Sequence, residues 1–366
     1  METDPLKAIT GVLEEAENTT KSGMFLVKTA NQTVDDAKKR PDPISLFWNI
    51  WYEGEVCCLF ADSNLGKSIL AVQMADEIAR TRKVLYIDCE MSDKQFQLRY
   101  TDEITGETHS FPSGFLRAEI DPMYAMPKNA EELMLQHIEQ TAESLGCDTI
   151  MVDNIGYLCN NMDKGADAGT FMQKLKMLKI KHDWNLLIIA HTPKRALCSP
   201  ITRNDLAGSS RLFNFFDSVF AIGQSAKDEN LKYIKQVKVR HGQFEYGADN
   251  VITCEITKDS GYAHFRILGT CPERDHLKER TDKDIDTRDK NIKDLYIQGK
   301  SYREIADILN LSKSLVGNVI NKLKEKGLLS SVQSSTGVDN MDTVDTSRQE
   351  GPGSLFDDEN TDNEPF

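Results

Sequence analysis

Apolar residues in this chain fall into a few uninterrupted runs, at residues 56–60, 84–87, 150–152 and 186–190, rather than into alternating patterns. Such runs suit strands buried on both faces of a parallel sheet. After the first run, Leu70, Met74 and Ile78 recur every four residues with Ala71, Ala75 and Ala79 alongside, which predicts a helix. Residues 251–256 and 263–268 do alternate, and Asp259, Ser260 and Gly261 between them predict a turn joining an antiparallel pair. Residues 233–240 alternate as well, with Ile234, Val237 and Val239 on the packing side and Lys238 and Arg240 outward. Farther on the period changes to that of helices. A short helix stops at Gly299, and Ser301 with Glu304 opens a second, in which Ile305, Ala306 and Leu309 face inward. Ser312 caps a third, with Leu315, Val316, Val319, Ile320 and Leu323 inside and Gly327 at its end. The pattern predicts an α/β core followed by a small all-α unit.

Between the first strand and its helix lie Ala61, Asp62, Ser63, Asn64, Leu65, Gly66, Lys67, Ser68 and Ile69. A Gly-Lys-Ser turn in that position reads as a phosphate-binding loop: backbone N–H groups wrap the phosphates of ATP, Lys67 reaches the β- and γ-phosphates, and the Ser68 hydroxyl ligates Mg²⁺. The helix N-terminus adds its own positive end. Ala61 stands where such loops usually begin with glycine, and glycine is strictly required there only if φ is positive. The next strand ends in Asp88 and Glu90, and the third ends in Asp153, which suits a carboxylate holding Mg²⁺. Asn154, not glutamate, follows Asp153, so another carboxylate must polarise the attacking water, and Glu90 is the candidate.

Tyr86 to Glu90, the isolated Asp153 and a later strand ending in His191 resemble the RecA/DnaB branch of P-loop ATPases. That resemblance covers residues 41–269 and implies a RecA-like core: a mainly parallel sheet flanked by helices, with antiparallel strands at its C-terminal end. It also implies His191 as the polar sensor of the bound phosphate. Lys238 and Arg240, in a Lys-x-Arg-x-Gly segment, resemble the cations that DnaB-type hexameric helicases extend to a neighbouring subunit's γ-phosphate. A cation supplied in that way accelerates phosphoryl transfer by roughly 10³ or more. The bland reading of the same pair, the solvent face of an alternating strand, stays open. Residues 205–211 resemble the family's channel-facing loop, with Lys194, Arg195, Arg203 and Arg211 as charge for a phosphate backbone. The three C-terminal helices resemble the helix-turn-helix of sigma-like and response-regulator families, which implies that Lys313, Ser314, Asn318, Asn321 and Lys322 face DNA. A trihelical protein-docking module is the competing reading.

The formal net charge of −14 argues against nucleic acid until its distribution is considered. Residues 331–366 carry nine Asp/Glu against Arg348 alone, whereas residues 287–330 carry nine Lys/Arg against five acids. A basic module followed by an acidic tail is a pattern of interaction. The eight cysteines show no zinc spacing and are expected as reduced thiols, the N-terminus is polar, and no apolar run approaches a membrane span, so a cytoplasmic protein without membrane contact is expected. The expected domains are an N-terminal arm (1–40), the ATPase core (41–270), a charged linker (271–289), the helix-turn-helix (290–332) and a disordered acidic tail (333–366). The tail's Pro365-Phe366 end resembles the partner-docking tip of single-strand-binding proteins and implies contact with replication proteins.

The resemblance is strongest to plasmid replication helicases of the RepA type. It implies an ATP-hydrolysing DNA motor, helicase or loader, assembled as a homo-oligomeric, hexameric ring and using ATP and Mg²⁺. The alternatives are an ATP-switched DNA-binding regulator that unwinds nothing, and a protein-remodelling or signalling ATPase.

Overall fold

In the computed structural model the described residues are 20–22, 24–121, 123, 130–158, 165–192, 195–206, 210–240, 242–279, 282–309 and 311–329. The elements begin with β1 (Thr20–Ser22), β2 (Phe25–Val27), α1 (Ala30–Lys38), β3 (Ser45–Phe47), β4 (Trp51–Tyr52), β5 (Val56–Ala61) and α2 (Lys67–Ile78). They continue through β6 (Val84–Asp88), α3 (Asp93–Arg99), β7 (Phe115–Ala118), α4 (Ala130–Leu145), β8 (Thr149–Asp153), α5 (Ile155–Leu158), α6 (Gly165–His182) and β9 (Asn185–His191). The last are α7 (Ser210–Phe215), β10 (Ser218–Gln224), β11 (Leu231–Lys238), β12 (Val251–Asp259), β13 (Tyr262–Cys271), α8 (Asp282–Ile297), α9 (Tyr302–Leu309) and α10 (Lys313–Glu325).

Nine strands form one mixed sheet in the order β13-β12-β11-β10-β5-β9-β8-β6-β7. From β10 to β7 the strands are parallel, and β11, β12 and β13 are added antiparallel. The expected mixed sheet is therefore present, with the uninterrupted apolar runs forming β5, β6, β8 and β9 of its parallel part. Alternate residues of β5 explain why the runs had to be continuous. Val56, Cys58 and Phe60 enter one core with residues of α4 and α6. Cys57, Leu59 and Ala61 enter the other, beneath Leu70, Met74 and Ile78 of α2. Phe47, Ile50 and Trp51 close the second core and are almost fully buried, so this aromatic segment is packing material.

The hairpin of β12 and β13 turns at Ser260 and Gly261, and β13 lies at the sheet edge against α2. Its outward backbone is not left to water. Gln73 of α2 accepts from the Phe265 N–H at 2.8 Å and donates to the Phe265 carbonyl at 3.2 Å, taking the place of a neighbouring strand. Two compact units result, one ending at Glu279 and the other starting at Arg280. In the second, α8, α9 and α10 bury Ile292, Ile305, Ala306, Val316, Val319 and Ile320, the inward faces expected from the periodicity.

One expectation changes. Helix α8 begins at Asp282, inside the segment read as a linker, and its Ile292 packs inward. Of the N-terminal arm, the described part is a small hairpin and α1, none of whose residues is buried. Residues 1–19, the last three residues assigned to the helix-turn-helix (330–332) and the acidic tail (333–366) lie outside the described residues. The seven described cysteines are free, as expected, and no described helix is long and apolar enough to cross a membrane.

Replacing Gln73 with Ala strands the buried N–H and C=O of Phe265, so urea unfolding should show a loss of about 1–3 kcal/mol.

Candidate functional site

Every polar group at the candidate site emerges where a parallel strand ends. Residues 62–66 connect the end of β5 to the start of α2, with Asn64 at φ 63° and Gly66 at φ 87°. Ala61 is still a strand residue, paired with His191 of β9 and Ile222 of β10, so its Cβ is accommodated and the missing glycine costs the turn nothing. Gly66 could not be exchanged in the same way. Besides its left-handed φ, a Cβ there would lie 2.6 Å from Ile256 Cδ1 and 3.0 Å from Phe265 Cζ, both on the β12–β13 hairpin. Leu65 and Ile69 pack against the same core. The Lys67 ammonium is folded onto its own loop, donating to the Ala61 carbonyl at 3.0 Å and the Asp62 carbonyl at 2.9 Å. Burial holds its pKa below the usual lysine value, opposed by the charges of Asp153, Glu90 and Asp62.

Asp153, at the end of β8, is 1 % exposed. Its carboxylate accepts from the Tyr86 phenol at 2.7 Å, and the Ser68 side chain lies near enough to help hold its pKa down. Burial nevertheless pushes the Asp153 carboxyl above its ordinary range. Ser68 and Asp153 are adjacent hard oxygen donors of the kind that hold Mg²⁺, so the donor set fits that cation.

Glu90 sits in the turn after β6. Its carboxylate accepts from the Asn154 side-chain amide and lies 3.1 Å from Nε2 of His191, while Asn154 Nδ2 is 2.8 Å from the same ring nitrogen. With the proton on Nε2, His191 donates to Glu90. With it on Nδ1, Nε2 accepts from Asn154. The turn itself is held by Asp88, whose Oδ1 accepts from the N–H groups of Glu90 and Met91 at 3.0 and 2.9 Å. Asp88 was read as a second strand-end acid at the ligand edge; it is instead 2 % exposed and committed to the turn and to Arg117. The thiol of Cys89, half-buried beside these acids, is pushed up to about 12 and offers no thiolate at neutral pH. A cleft beside Glu90 is lined by Gln95, Leu98 and Arg99 on one side and by Ile256, Thr257 and Lys258 of the hairpin on the other.

Lys238 and Arg240 are not part of this cluster. Lys238 pairs with Val219, which pairs with Cys58 near the start of β5, so both cations lie at the opposite end of the strands from the loop. Lys238 donates to the carbonyls of Phe213 and Phe216 at 3.2 and 2.6 Å, and Arg240 bonds Asp217. Lys238 is half-buried, whereas Arg240 is exposed. Among the residues expected to face a DNA channel, Arg195 is tied to Asp205 at 3.0 Å and to the Ser199 carbonyl at 2.6 Å, and Arg203 is exposed. Lys194 and the side chain of Arg211 lie outside the described residues. In the second unit, Lys313, Ser314, Asn318, Asn321 and Lys322 are all exposed on α10, opposite Val316, Val319 and Ile320.

Sequence reasoning missed three participants. Asn154 registers only as an absent glutamate, Tyr86 enters the motif with no role of its own, and Arg117 lies outside every motif. Of these, a tyrosine inside an otherwise aliphatic run carried a usable signal, since a buried phenol needs a partner.

Residues 26–196 match the AAA_25 family, described as an AAA domain, a span of less than half the chain that ends shortly after β9 and supports a P-loop ATPase. No curated protein matches the chain. Among solved structures, a KaiC-like protein from the hyperthermophilic archaeon Pyrococcus horikoshii is similar at 10 % identity over 62 % of this chain and 100 % of that one, with a TM-score of 0.45.

Because burial favours the neutral form of Asp153, the folded protein binds its proton more readily than the unfolded chain, and this group's contribution to stability grows as pH falls. Asp153→Asn should therefore raise the melting temperature near neutral pH, with an advantage over wild type that shrinks as the buffer is acidified.

Proposed function

We propose that this protein is a RecA-like, ring-forming ATPase that works on DNA, as a motor, helicase or loader in the replication of a plasmid or mobile element. The observation that carries the reading is the convergence of Lys67, the Ser68–Asp153 pair and Glu90 at neighbouring strand ends, with Glu90 bonded to Asn154 and beside His191.

On binding ATP, Lys67 exchanges two loop carbonyls for oxygens of the β- and γ-phosphates, while the N–H groups at the start of α2 face the anion. Ser68 and Asp153 would hold Mg²⁺, whose charge draws electron density from the phosphate oxygens. Glu90 accepts the proton of the attacking water. Asn154 and His191, within hydrogen-bond reach of both Glu90 and each other, fix the carboxylate and report whether a γ-phosphate is present. Lys238 and Arg240 cannot serve the loop of their own subunit from the far end of the strands, which supports a role across a subunit boundary, as in a hexameric ring.

Contact with DNA falls to the second unit, read as a helix-turn-helix. The amides of Asn318 and Asn321 suit base edges, and Lys313 and Lys322 suit phosphates. Replication partners of the acidic tail and a cytoplasmic setting belong to the same proposal.

Magnesium-dependent ATP hydrolysis should be lost in Lys67→Ala and reduced by about 10²–10⁴ in Glu90→Gln with nucleotide affinity retained. Arg240→Ala should cost roughly 10³ in turnover at concentrations where the protein is assembled. For DNA, single Lys313→Ala and Lys322→Ala substitutions should each lower the salt slope of duplex binding by about 1. Hydrolysis without strand displacement on any forked duplex would replace the motor by an ATP-switched regulator. Absence of DNA binding by the full chain would favour the protein-remodelling alternative.

A further inference from the structure

The turn that carries Glu90 is held by a device that the proposed chemistry does not itself require. Arg117 stands on β7, the edge strand beside β6, with its side chain 15 % exposed. Its Nε donates to Asp88 Oδ2 at 3.0 Å, one terminal nitrogen donates to Asp93 Oδ1 at 2.6 Å and lies 3.5 Å from Glu119 Oε2, and the other donates to the Met91 carbonyl. The guanidinium also lies over the Phe96 ring, 5.1 Å from its centroid. Asp88, with no exposed side-chain surface, spends its remaining oxygen on the N–H groups of Glu90 and Met91. The Cys89 N–H donates to the Asp153 carbonyl at 2.7 Å, and the Ser92 N–H donates to Gln95 Oε1 at 2.9 Å. Each backbone N–H from Cys89 to Ser92 thus has a partner, and the one cation in the arrangement is Arg117.

We propose that Arg117, acting through its pair with buried Asp88, is a positioning residue for Glu90, setting the angle at which that carboxylate meets the attacking water. The role rests on the ATPase reading above and goes beyond it, because Arg117 lies outside the phosphate loop and the sensor strand. Its planar fork bridges three segments at once: the end of β6, the turn and the start of α3. A lysine could neutralise Asp88 but could not also hold the Met91 carbonyl and Asp93 in one plane. A displacement of about 1 Å in a catalytic group can cost roughly 10² in rate.

The test compares wild type, Arg117→Lys, Arg117→Met, Glu90→Gln and the Glu90→Gln/Arg117→Met double variant, measuring ATP turnover alongside the affinity for a fluorescent ATP analogue. Arg117→Lys keeps the buried carboxylate neutralised and is the variant expected to fold without loss. Its kcat should drop by about tenfold and that of Arg117→Met by about 10², with analogue affinity within twofold of wild type. In the Glu90→Gln background, Arg117→Met should cause no further loss, since the two act as a unit. If Arg117→Lys turns over like wild type, or if it weakens the analogue's binding at unchanged kcat, the positioning role is wrong while the ATPase reading stands. A fully additive double variant likewise overturns it. A wild type that shows no magnesium-dependent hydrolysis sinks the ATPase reading itself, and this role with it.

Discussion

The central parallel strands are apolar on both faces, and that single constraint decides where chemistry can occur. Packed between α2 on one side and α4 and α6 on the other, β5, β9, β8 and β6 have no flank on which a polar side chain could reach solvent. Ionisable groups can emerge only where these strands run out, and the parallel arrangement brings four such ends to one edge. Lys67, Glu90, Asp153 and His191 meet because their strands share a direction. The same constraint makes the site electrostatically tense. A carboxylate as buried as Asp153 survives only with hydroxyl donors around it, and Lys67 meets its desolvation by leaning on carbonyl oxygens.

What could be read from the residues alone follows the same logic. Uninterrupted apolar runs are legible because burial on both faces leaves a mark at every position, and the loop from Ala61 to Ser68 is legible because its backbone shape restricts composition. The hairpin of β12 and β13 was visible from alternation, but its position over Gly66 was not, since nothing in local sequence reports which distant helix a strand edge will meet. Gln73 illustrates the difficulty. It is one more polar residue on a helix until the fold brings Phe265 beside it. Asn154 and Arg117 escaped for a related reason, because a side chain that acts on another side chain needs no fixed spacing from it. The start of α8 was misplaced because a charged exposed helix and a charged linker have the same composition.

The cations at the far end of the strands show how charged side chains can close off backbone and carboxylate groups within the fold. Lys238 satisfies carbonyls at and just beyond the C-terminal end of α7, and Arg240 neutralises Asp217, whose other oxygen accepts the N–H that starts β5. These contacts hold the strand opening that precedes the phosphate loop. An alteration there would disturb folding, so loss of turnover in such variants has to be read beside a stability measurement.

The wall against Gly66 belongs to residues roughly 190 positions later in the chain, as the Gln73–Phe265 bond records with its separation of 192. During synthesis the loop leaves the ribosome long before Ile256 and Phe265 exist, so an emerging chain carries its phosphate grip unwalled until β13 has been made. The loop's final shape is thus completed by the last strands of its own unit to be made, and not by its neighbours in sequence.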